Sequence, residues 1–183
     1  MNDFAECLKQ SHRAEDWPVW GQVYTQAFPQ MLEMISHRED GPHQRAGIDR
    51  SVIMANSKQI LIDEKSRGRN KLTGKVYDDI ALEYMSDAER SVPGWVCKPL
   101  LADYIAYAIL PLGKCYLLPV IQLQAAWEAN KDRWLKQYGT IKAKNPSWTT
   151  LSCCVSPAEL FQHIGACLRA RFDPIDHVEG GAQ

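Results

Sequence analysis

Four residues in one stretch of the chain combine the side-chain types that phosphodiester hydrolysis requires. Asp49 lies upstream of a triplet, Asp63, Glu64 and Lys65, which ends an apolar run. Carboxylate oxygens bind hard divalent cations such as Mg²⁺, and a water held by such an ion can attack phosphorus. A neighbouring lysine would orient that water, or deprotonate it as the free amine, and as an ammonium it would stabilise the developing negative charge. The residue types therefore predict a metal-dependent hydrolytic site, provided that folding brings Asp49 to the triplet.

Two short strands joined by a tight turn would bring these residues together. We predict strands at about 47–54 and 59–65, with the turn at 55–57. Antiparallel pairing across this turn brings Asp49 beside Asp63. Because side chains alternate between the two faces of a strand, Asp63 and Lys65 should point to one side and Glu64 to the other.

This arrangement resembles the PD-(D/E)XK nuclease superfamily, in which an acidic residue on one strand precedes a (D/E)-x-K triplet that ends the next. Asp49 takes the first position and Asp63, Glu64 and Lys65 form the triplet, with Ile48 where the motif has proline. The resemblance implies a restriction-endonuclease-like αβββαβ core. It also implies a Mg²⁺- or Mn²⁺-dependent, endonuclease-type phosphodiester hydrolase whose substrate is nucleic acid, DNA in preference to RNA.

The resemblance implies a role for each residue of the site. Asp49, Asp63 and Lys65 would be catalytic, and the metal would be held by the two aspartates and the Glu64 backbone carbonyl. Glu83, on the next predicted strand, is a further candidate ligand, and an ion pair with an Arg or Lys at the sheet end is an equally open interpretation. Members of the family often add an acidic or amide residue from the first helix, for which the candidates are Gln22, Gln26 and Glu33.

A basic segment follows the triplet. Between Lys65 and Asp78 the chain has no acidic residue. The positive charges after Lys65 are Arg67, Arg69, Lys71 and Lys75. Interspersed glycine and asparagine predict a loop. Two interpretations are open, a solvated hairpin tip and a phosphate-binding segment. The predicted nucleic-acid contacts come from these four residues, with Arg67 on the Lys65 face and able to reach the scissile phosphate.

Hydrophobic periodicity predicts the elements that must position the site. The predicted helices lie at 2–12, at Trp17 to Ile35 with a kink or break at Pro29, at 99–110, at 119–138 and at 157–171. The further predicted strands lie at 76–85, 114–118 and 149–155, with a polar connection at 140–147.

These elements predict a single α/β domain of mixed α+β type over residues 1–172, with a central mixed β-sheet flanked by helices. The αβββαβ core would span about 17–118, and a helix–strand–helix elaboration would follow at 119–172. Residues 173–183 are predicted to form a disordered tail.

Composition limits the classes of partner. With a net charge of −1 the chain has no global attraction for nucleic acid, so any attraction must be local. No apolar run reaches the roughly 18 residues of a membrane span, and the first residues lack a signal-peptide pattern. Six cysteines without C-x-x-C spacing suit reduced thiols. We therefore expect a cytoplasmic protein with no membrane partner; a homodimer is left open.

Other residue groups carry weaker signals. His37, Glu39, Asp40 and His43 look like a ligand cluster but lack the spacing of defined zinc patterns, so no metal is predicted there. The helical spacing of Trp127, Trp134 and Tyr138 predicts core residues rather than a base-stacking surface. The cysteines have no nearby base and are predicted to be small buried hydrophobes.

Two other classes of function remain open. A catalytically silent relative would bind nucleic acid or a protein partner, and retention of Asp49, Asp63 and Lys65 favours the enzyme over it. A plain interaction protein would carry the same carboxylates solvated on a hairpin. A sheet order unlike that of the family would favour this last interpretation.

Overall fold

The computed structural model describes residues 18–37, 40–70 and 73–175. Within these ranges the helices are α1 (Pro18–Ala27), α2 (Gly41–Arg45), α3 (Val120–Tyr138) and α4 (Pro157–Phe161), and a 3₁₀ turn spans Leu110–Leu112. The strands are β1 (Met31–Ser36), β2 (Arg50–Met54), β3 (Gln59–Arg67), β4 (Ile80–Asp87), β5 (Val92–Pro93), β6 (Tyr104–Ile109), β7 (Lys114–Pro119), β8 (Ile141–Lys144), β9 (Thr149–Val155) and β10 (Leu168–Arg171).

The strands form two sheets. The first has six strands in the order β1-β2-β3-β6-β7-β10, and the second has four in the order β5-β4-β9-β8. Strands β3 and β6 are parallel, whereas every other pair of neighbours is antiparallel. The protein is therefore of mixed α/β class with a mixed sheet flanked by helices, as the sequence predicts.

The central strands of the six-stranded sheet are buried on both faces, which sets up two separate cores. Alternate residues of β6 point to opposite faces, so Ile105 and Ala106 belong to different clusters. On one face the sheet packs against α1 through Val19, Trp20, Val23 and Tyr24. On the other face it packs against α3 and the second sheet through Leu123, Trp127, Trp134, Leu82 and Val155. The six-stranded sheet is thus a middle layer.

The break predicted at Pro29 is confirmed, because the helix ends at Ala27, whereas the predicted helical continuation to Ile35 is wrong. The chain turns after Phe28 and continues as β1, in which Ile35 pairs with Ser51 of β2. Pro29 explains the change, because proline lacks the amide hydrogen that a continuing helix would need. Met31 and Met34 both face the core although they are three residues apart, because the register shifts between Met31 and Glu33; this spacing also suits a helix.

The predicted helix at 99–110 is wrong, because residues 104–109 form the parallel strand β6. From Ile105 to Ile109 every residue of this strand is buried. The sequence of a strand that is covered on both faces is a continuous apolar run. Hydrophobic periodicity does not distinguish such a run from a buried helix.

The predicted third strand does exist, but it does not neighbour β3. It begins at Ile80 and pairs with β9 and β5 in the second sheet. Three antiparallel strands do follow one another in the first sheet, but the first of them is β1, where helix is predicted.

The C-terminal third is only partly as predicted. Strands β7 and β9 and helix α3 agree with the predicted ranges, whereas β8 lies in the predicted polar connection. Helix α4 starts as predicted, with the Ser156 hydroxyl accepting the Glu159 amide at 3.2 Å, but it ends at Phe161. The chain then forms β10, which completes the first sheet beside β7. The predicted core boundary at residue 118 is therefore not respected. The first sheet includes β10 from after it, and the second sheet includes β4 and β5 from before it.

Both predicted ends of the chain fall largely outside the described residues. These are the helix at 2–12 and the tail beyond Ile175. The start of the predicted tail is ordered by backbone hydrogen bonds, from Phe172 to the Gly113 carbonyl at 3.0 Å and from Ile175 to the Leu110 carbonyl at 3.0 Å.

Candidate functional site

Asp49 lies where the pairing between β2 and β3 ends. Arg50 pairs with Ile62, so the antiparallel register carried on by one residue sets Asp49 opposite Asp63. The Asp49 amide donates to the Ile62 carbonyl at 2.9 Å, and its carboxylate Oδ2 accepts the Glu64 amide at 2.7 Å. Asp49 is thereby fixed at both its backbone and its side chain.

Asp63 and Lys65 lie on the face of β3 that is turned toward the second sheet. Asp63 is 3% exposed, and its Oδ1 accepts a hydrogen bond from the Lys65 ammonium. Burial raises the pKa of Asp63 to about 6; the Lys65 charge opposes this rise, and the charge of Asp49 and a hydrogen bond between the two carboxyls add to it. The structure therefore brings Asp49, Asp63 and Lys65 together.

Lys65 remains charged in this setting. Burial alone would lower the pKa of its ammonium, but the carboxylates of Asp63, Asp49 and Glu83 outweigh that effect and raise the pKa. The side chain keeps 32% of its surface exposed, so part of it borders solvent.

The Glu64 side chain points to the opposite face, as alternation predicts. One carboxylate oxygen accepts from Arg50 Nε at 2.6 Å and from the Tyr24 hydroxyl at 2.7 Å. Burial raises the pKa of Glu64 to about 7, against the hydrogen bonds from Arg50 and Tyr24 that lower it. This side chain is therefore committed to a buried contact between β2, β3 and α1.

The Glu64 backbone remains on the Asp49 side. The Ile62 carbonyl accepts the Asp49 amide, and the Glu64 amide reaches the Asp49 carboxylate. Since backbone groups two residues apart point to the same side of a strand, the Glu64 carbonyl also opens toward Asp49. The predicted backbone ligand thus has the orientation that its role requires.

Glu83 approaches the site from the second sheet. Burial raises the pKa of its carboxyl, whereas the charges of Lys65 and Lys98 and a hydrogen bond from the Trp95 amide lower it. Its electrostatic partners are lysines, which agrees with the ion-pair interpretation of this residue. Metal ligation by Glu83 stays a prediction.

The first-helix candidates lie elsewhere. Gln26 exchanges two hydrogen bonds with the Arg171 backbone of β10, at 2.6 and 3.0 Å. Gln22 contacts Asp173 in the same way, with its side-chain oxygen 3.2 Å from the Asp173 amide nitrogen. Glu33 belongs to β1 and is exposed. The residue that α1 does contribute near the triplet is Tyr24, which sequence reasoning missed.

Arg50 was also missed, although a signal for it existed. Residues directly opposite each other in a sheet share a face, and Arg50 directly follows Asp49. Alternation therefore sends its side chain to the Glu64 face, where it forms the buried ion pair. The sequence carries no comparable local signal for Tyr24, because that contact joins residues far apart in the chain.

The predicted nucleic-acid residues differ in their surroundings. The Arg67 guanidinium lies 2.6 Å from Asp79 Oδ1 and 5.8 Å from the centre of the Tyr77 ring. Arg69 is exposed and donates to the Gly74 carbonyl at 2.9 Å, and Lys75 is exposed. Lys71 lies outside the described residues. Phosphate contact by any of the four stays a prediction.

Two residue groups bear on the weaker signals. Trp127 and Trp134 are 3% and 0% exposed and belong to the core, as predicted. His37, Asp40 and His43 do converge, with one donor atom from each within 4.8 Å of the others, although the sequence spacing predicts no metal there. Spacing in the sequence did not capture this, because a turn at Asp40 folds the two histidines together. Glu39 lies outside the described residues.

No helix in the described ranges is long and apolar enough to cross a membrane. No family model matches the chain, and neither a curated protein nor a solved structure matches it.

The interpretation as a hairpin with solvated carboxylates does not fit a 3%-exposed Asp63. Chemically, the site offers paired carboxylates, one outward-facing carbonyl and a charged lysine.

Proposed function

We propose that the protein is a metal-dependent nuclease of the PD-(D/E)XK type, hydrolysing phosphodiester bonds in nucleic acid, DNA in preference to RNA. One observation carries the proposal: a nearly fully buried Asp63 faces a second carboxylate, Asp49, with Lys65 beside both. A second carboxylate beside a buried carboxyl is unfavourable unless positive charge compensates both, and Lys65 supplies only one positive charge. A structural ion pair would need only one of the two.

The donor set fits a hard cation. Asp49, Asp63 and the Glu64 carbonyl would hold Mg²⁺ or Mn²⁺ through oxygen alone. Burial, and after it the charge of Asp49, raises the pKa of Asp63, and such an ion would stabilise the ionised carboxylate against both effects. When bound, the ion would acidify an attacking water and neutralise charge at phosphorus. Glu83 would add a further carboxylate from the second sheet.

Lys65 would act as a charged hydrogen-bond donor in the site. Its ammonium donates to Asp63 Oδ1, and its side chain is partly exposed, so a bound phosphate would lie within its reach. There it would orient the attacking water and stabilise the negative charge that develops at phosphorus. The buried Glu64–Arg50 pair has a different task, because it fixes β3 against β2 on the face away from the substrate.

The basic loop after β3 would bind the nucleic-acid backbone. Arg69 and Lys75 are exposed beside the site, and Lys71 adds a third positive charge in the sequence. Arg67 is already paired with Asp79, so it would reach phosphate only by leaving that partner. The local positive charge offsets the overall net charge of −1.

Incubation of the protein with plasmid, single-stranded DNA and RNA, with and without Mg²⁺ or Mn²⁺, tests the proposal. Asp63→Asn and Lys65→Ala should abolish cleavage. Their matched controls are Asp87→Asn, another buried aspartate, and Lys114→Ala, another partly exposed lysine paired with an aspartate. Both controls should cleave at the wild-type rate.

Two results would redirect the proposal. Salt-dependent nucleic-acid binding without metal-dependent cleavage of any substrate would identify a catalytically silent binder. Cleavage that Asp63→Asn and Lys65→Ala leave intact would place the activity elsewhere or in a contaminant.

A further inference from the structure

Two histidines and one aspartate form a compact cluster at the start of the loop that leads to Asp49. Asp40 Oδ2 lies 2.7 Å from His43 Nδ1 and 4.0 Å from His37 Nδ1. The two imidazole rings stack almost in parallel, with centres 4.0 Å apart and an angle of 5°. Both Nδ1 atoms therefore face the same carboxylate oxygen.

The backbone holds this cluster in place. The His37 amide donates to the Asp49 carbonyl, and the Ile48 amide donates to the His43 carbonyl at 3.0 Å. The two carboxylate oxygens of Asp40 have different partners: Oδ1 accepts the His43 amide at 3.3 Å, and Oδ2 faces the imidazoles. The ends of the loop are thus tied together, and the carboxylate is oriented by its own turn.

The orientation of His37 is set by a partner on its far side. Its Nε2 lies 2.7 Å from the Ser51 hydroxyl, which also accepts Gln59 Nε2 at 2.8 Å. The side chain is almost wholly buried. A histidine that binds a metal through Nδ1 carries its proton on Nε2 and donates it to such a second partner, which fixes the ring.

We propose that His37 Nδ1, His43 Nδ1 and Asp40 Oδ2 form a binding site for a transition-metal ion of the zinc class. Donors around a tetrahedral Zn²⁺, each about 2.0–2.1 Å from the ion, are separated by about 3.3 Å. The observed separations of 2.7 and 4.0 Å lie on either side of that value. Ligation requires the partly exposed His43 to turn its ring out of the stack, because the lone pairs of parallel rings do not meet at one ion. Three protein ligands leave the fourth position to water. Two imidazoles select zinc-class ions over Mg²⁺, which requires oxygen ligands.

The same residues outline a Ser-His-Asp arrangement, which the geometry excludes as a nucleophilic site. Ser51 is 0% exposed, so no substrate atom can reach its hydroxyl. The His37 Nδ1 to Asp40 distance of 4.0 Å is also too long for the hydrogen bond that would orient a catalytic base.

Zinc binding to the full chain, stripped with chelator and then dialysed against Zn²⁺, tests the proposal. His43→Gln removes a ligand at a side chain that is 39% exposed, and His163→Gln is its control at a histidine that is 31% exposed. Wild type and His163→Gln should each bind one equivalent, whereas His43→Gln should lose saturable binding. Co²⁺ in place of Zn²⁺ should give tetrahedral visible absorption that disappears in His43→Gln.

A second pair of variants separates the ligand role from folding and from the carboxylate site. Asp40→Asn keeps an oxygen that can accept the His43 amide but loses the charge, so zinc affinity should fall about 10-fold or more while the protein stays folded. Asp63→Asn should leave the zinc stoichiometry at one. Retention of full zinc affinity by His43→Gln, or loss of binding in Asp63→Asn alone, would overturn the proposal.

Discussion

Burial of Asp63 beside Asp49 carries an electrostatic cost when no cation is bound. The pKa of Asp63 rises from 3.8 to about 6, and each pKa unit corresponds to about 1.4 kcal/mol. Because the folded-state pKa is raised, Asp63 destabilises the fold progressively as the pH rises from 3.8 through 6, by roughly 3 kcal/mol at most. A cation that binds the ionised carboxyls would return part of that free energy.

We therefore expect Mg²⁺ to stabilise the protein in a pH-dependent way. Protonated Asp63 does not bind the cation, so the affinity for Mg²⁺ should fall about tenfold per pH unit below about 6, the limit for one competing proton. The thermal-unfolding midpoint with and without Mg²⁺, measured from pH 5 to 8, checks this. The Mg²⁺-induced shift should be small at pH 5 and level off above pH 7. A shift that Asp63→Asn preserves would place the ion elsewhere.

Glu64 allows the fold and the chemistry to be separated. Glu64→Gln should keep cleavage per folded molecule near wild type, because only the backbone carbonyl of this residue faces Asp49. The free energy of unfolding should fall, by up to about 3–5 kcal/mol, since the buried Arg50 loses its charged partner. Urea unfolding and cleavage, measured on the same sample, distinguish the two effects. If cleavage falls as far as it does in Asp63→Asn, the side chain has been assigned to the wrong face.

At the scale of elements, the loop between β3 and β4 is the predicted nucleic-acid contact. Arg69→Ala, Lys71→Ala and Lys75→Ala together should weaken binding and reduce the dependence of log affinity on log salt, by about 0.9 per lost duplex phosphate contact. Filter binding at several salt concentrations measures this slope. Arg67→Ala is the comparison, because its guanidinium already contacts Asp79 and its loss should leave the slope nearer to wild type. Equal slopes in the triple variant and wild type would return the loop to the solvated interpretation.

Sequence patterns predicted well the elements with one buried face, and also β7, which is buried on both faces but whose apolar run begins after Gly113 and ends at Pro119. Strand β9 has the predicted bounds, and α3 begins one residue later than predicted, at Val120. The stretches at 104–109 and 168–171 were misassigned as helix. In β6 both faces are buried, and β10 is a short edge strand whose pairing with β7 depends on a distant part of the chain. Local periodicity carries no information on such pairing.

In the candidate site, too, the residues that depend on local structure were predicted and those that depend on distant parts of the chain were missed. Asp49, Asp63 and Lys65 were identified from a local hairpin, whose register depends on only a few residues. The partners Tyr24 and Glu83 come from α1 and from the second sheet. The convergence of His37 with His43 depends on a turn whose hydrogen bonds are not encoded in the ligand spacing. Long-range packing and turn geometry therefore account for what was missed.

At the scale of the whole molecule, the chain closes its first sheet with β10, and Gly113 sits where that closure occurs. Gly113 has a φ of +58°, and a Cβ there would collide with the Phe172 carbonyl. Gly165 has a φ of +62° with open space around it. Gly165→Ala should cost about 1 kcal/mol from backbone strain alone. Gly113→Ala should cost at least about 2 kcal/mol more, as a clash with no room to relax does. Comparison of the two by urea unfolding isolates the closure, and equal losses would contradict it.

The parallel pair β3–β6 also has a consequence for how the protein acquires its site. Between these two strands the chain forms β4 in the second sheet. The main partner of β4 is β9, which lies much later in the sequence. Conformational entropy is therefore lost in closing long loops between distant parts of the sequence before either sheet is complete. Topologies of this kind refold on the order of milliseconds to seconds rather than microseconds. A stopped-flow record of the buried Trp20 and Trp134 should show such a slow phase, and Mg²⁺ should leave its rate unchanged if the carboxylates meet only after the rate-limiting step.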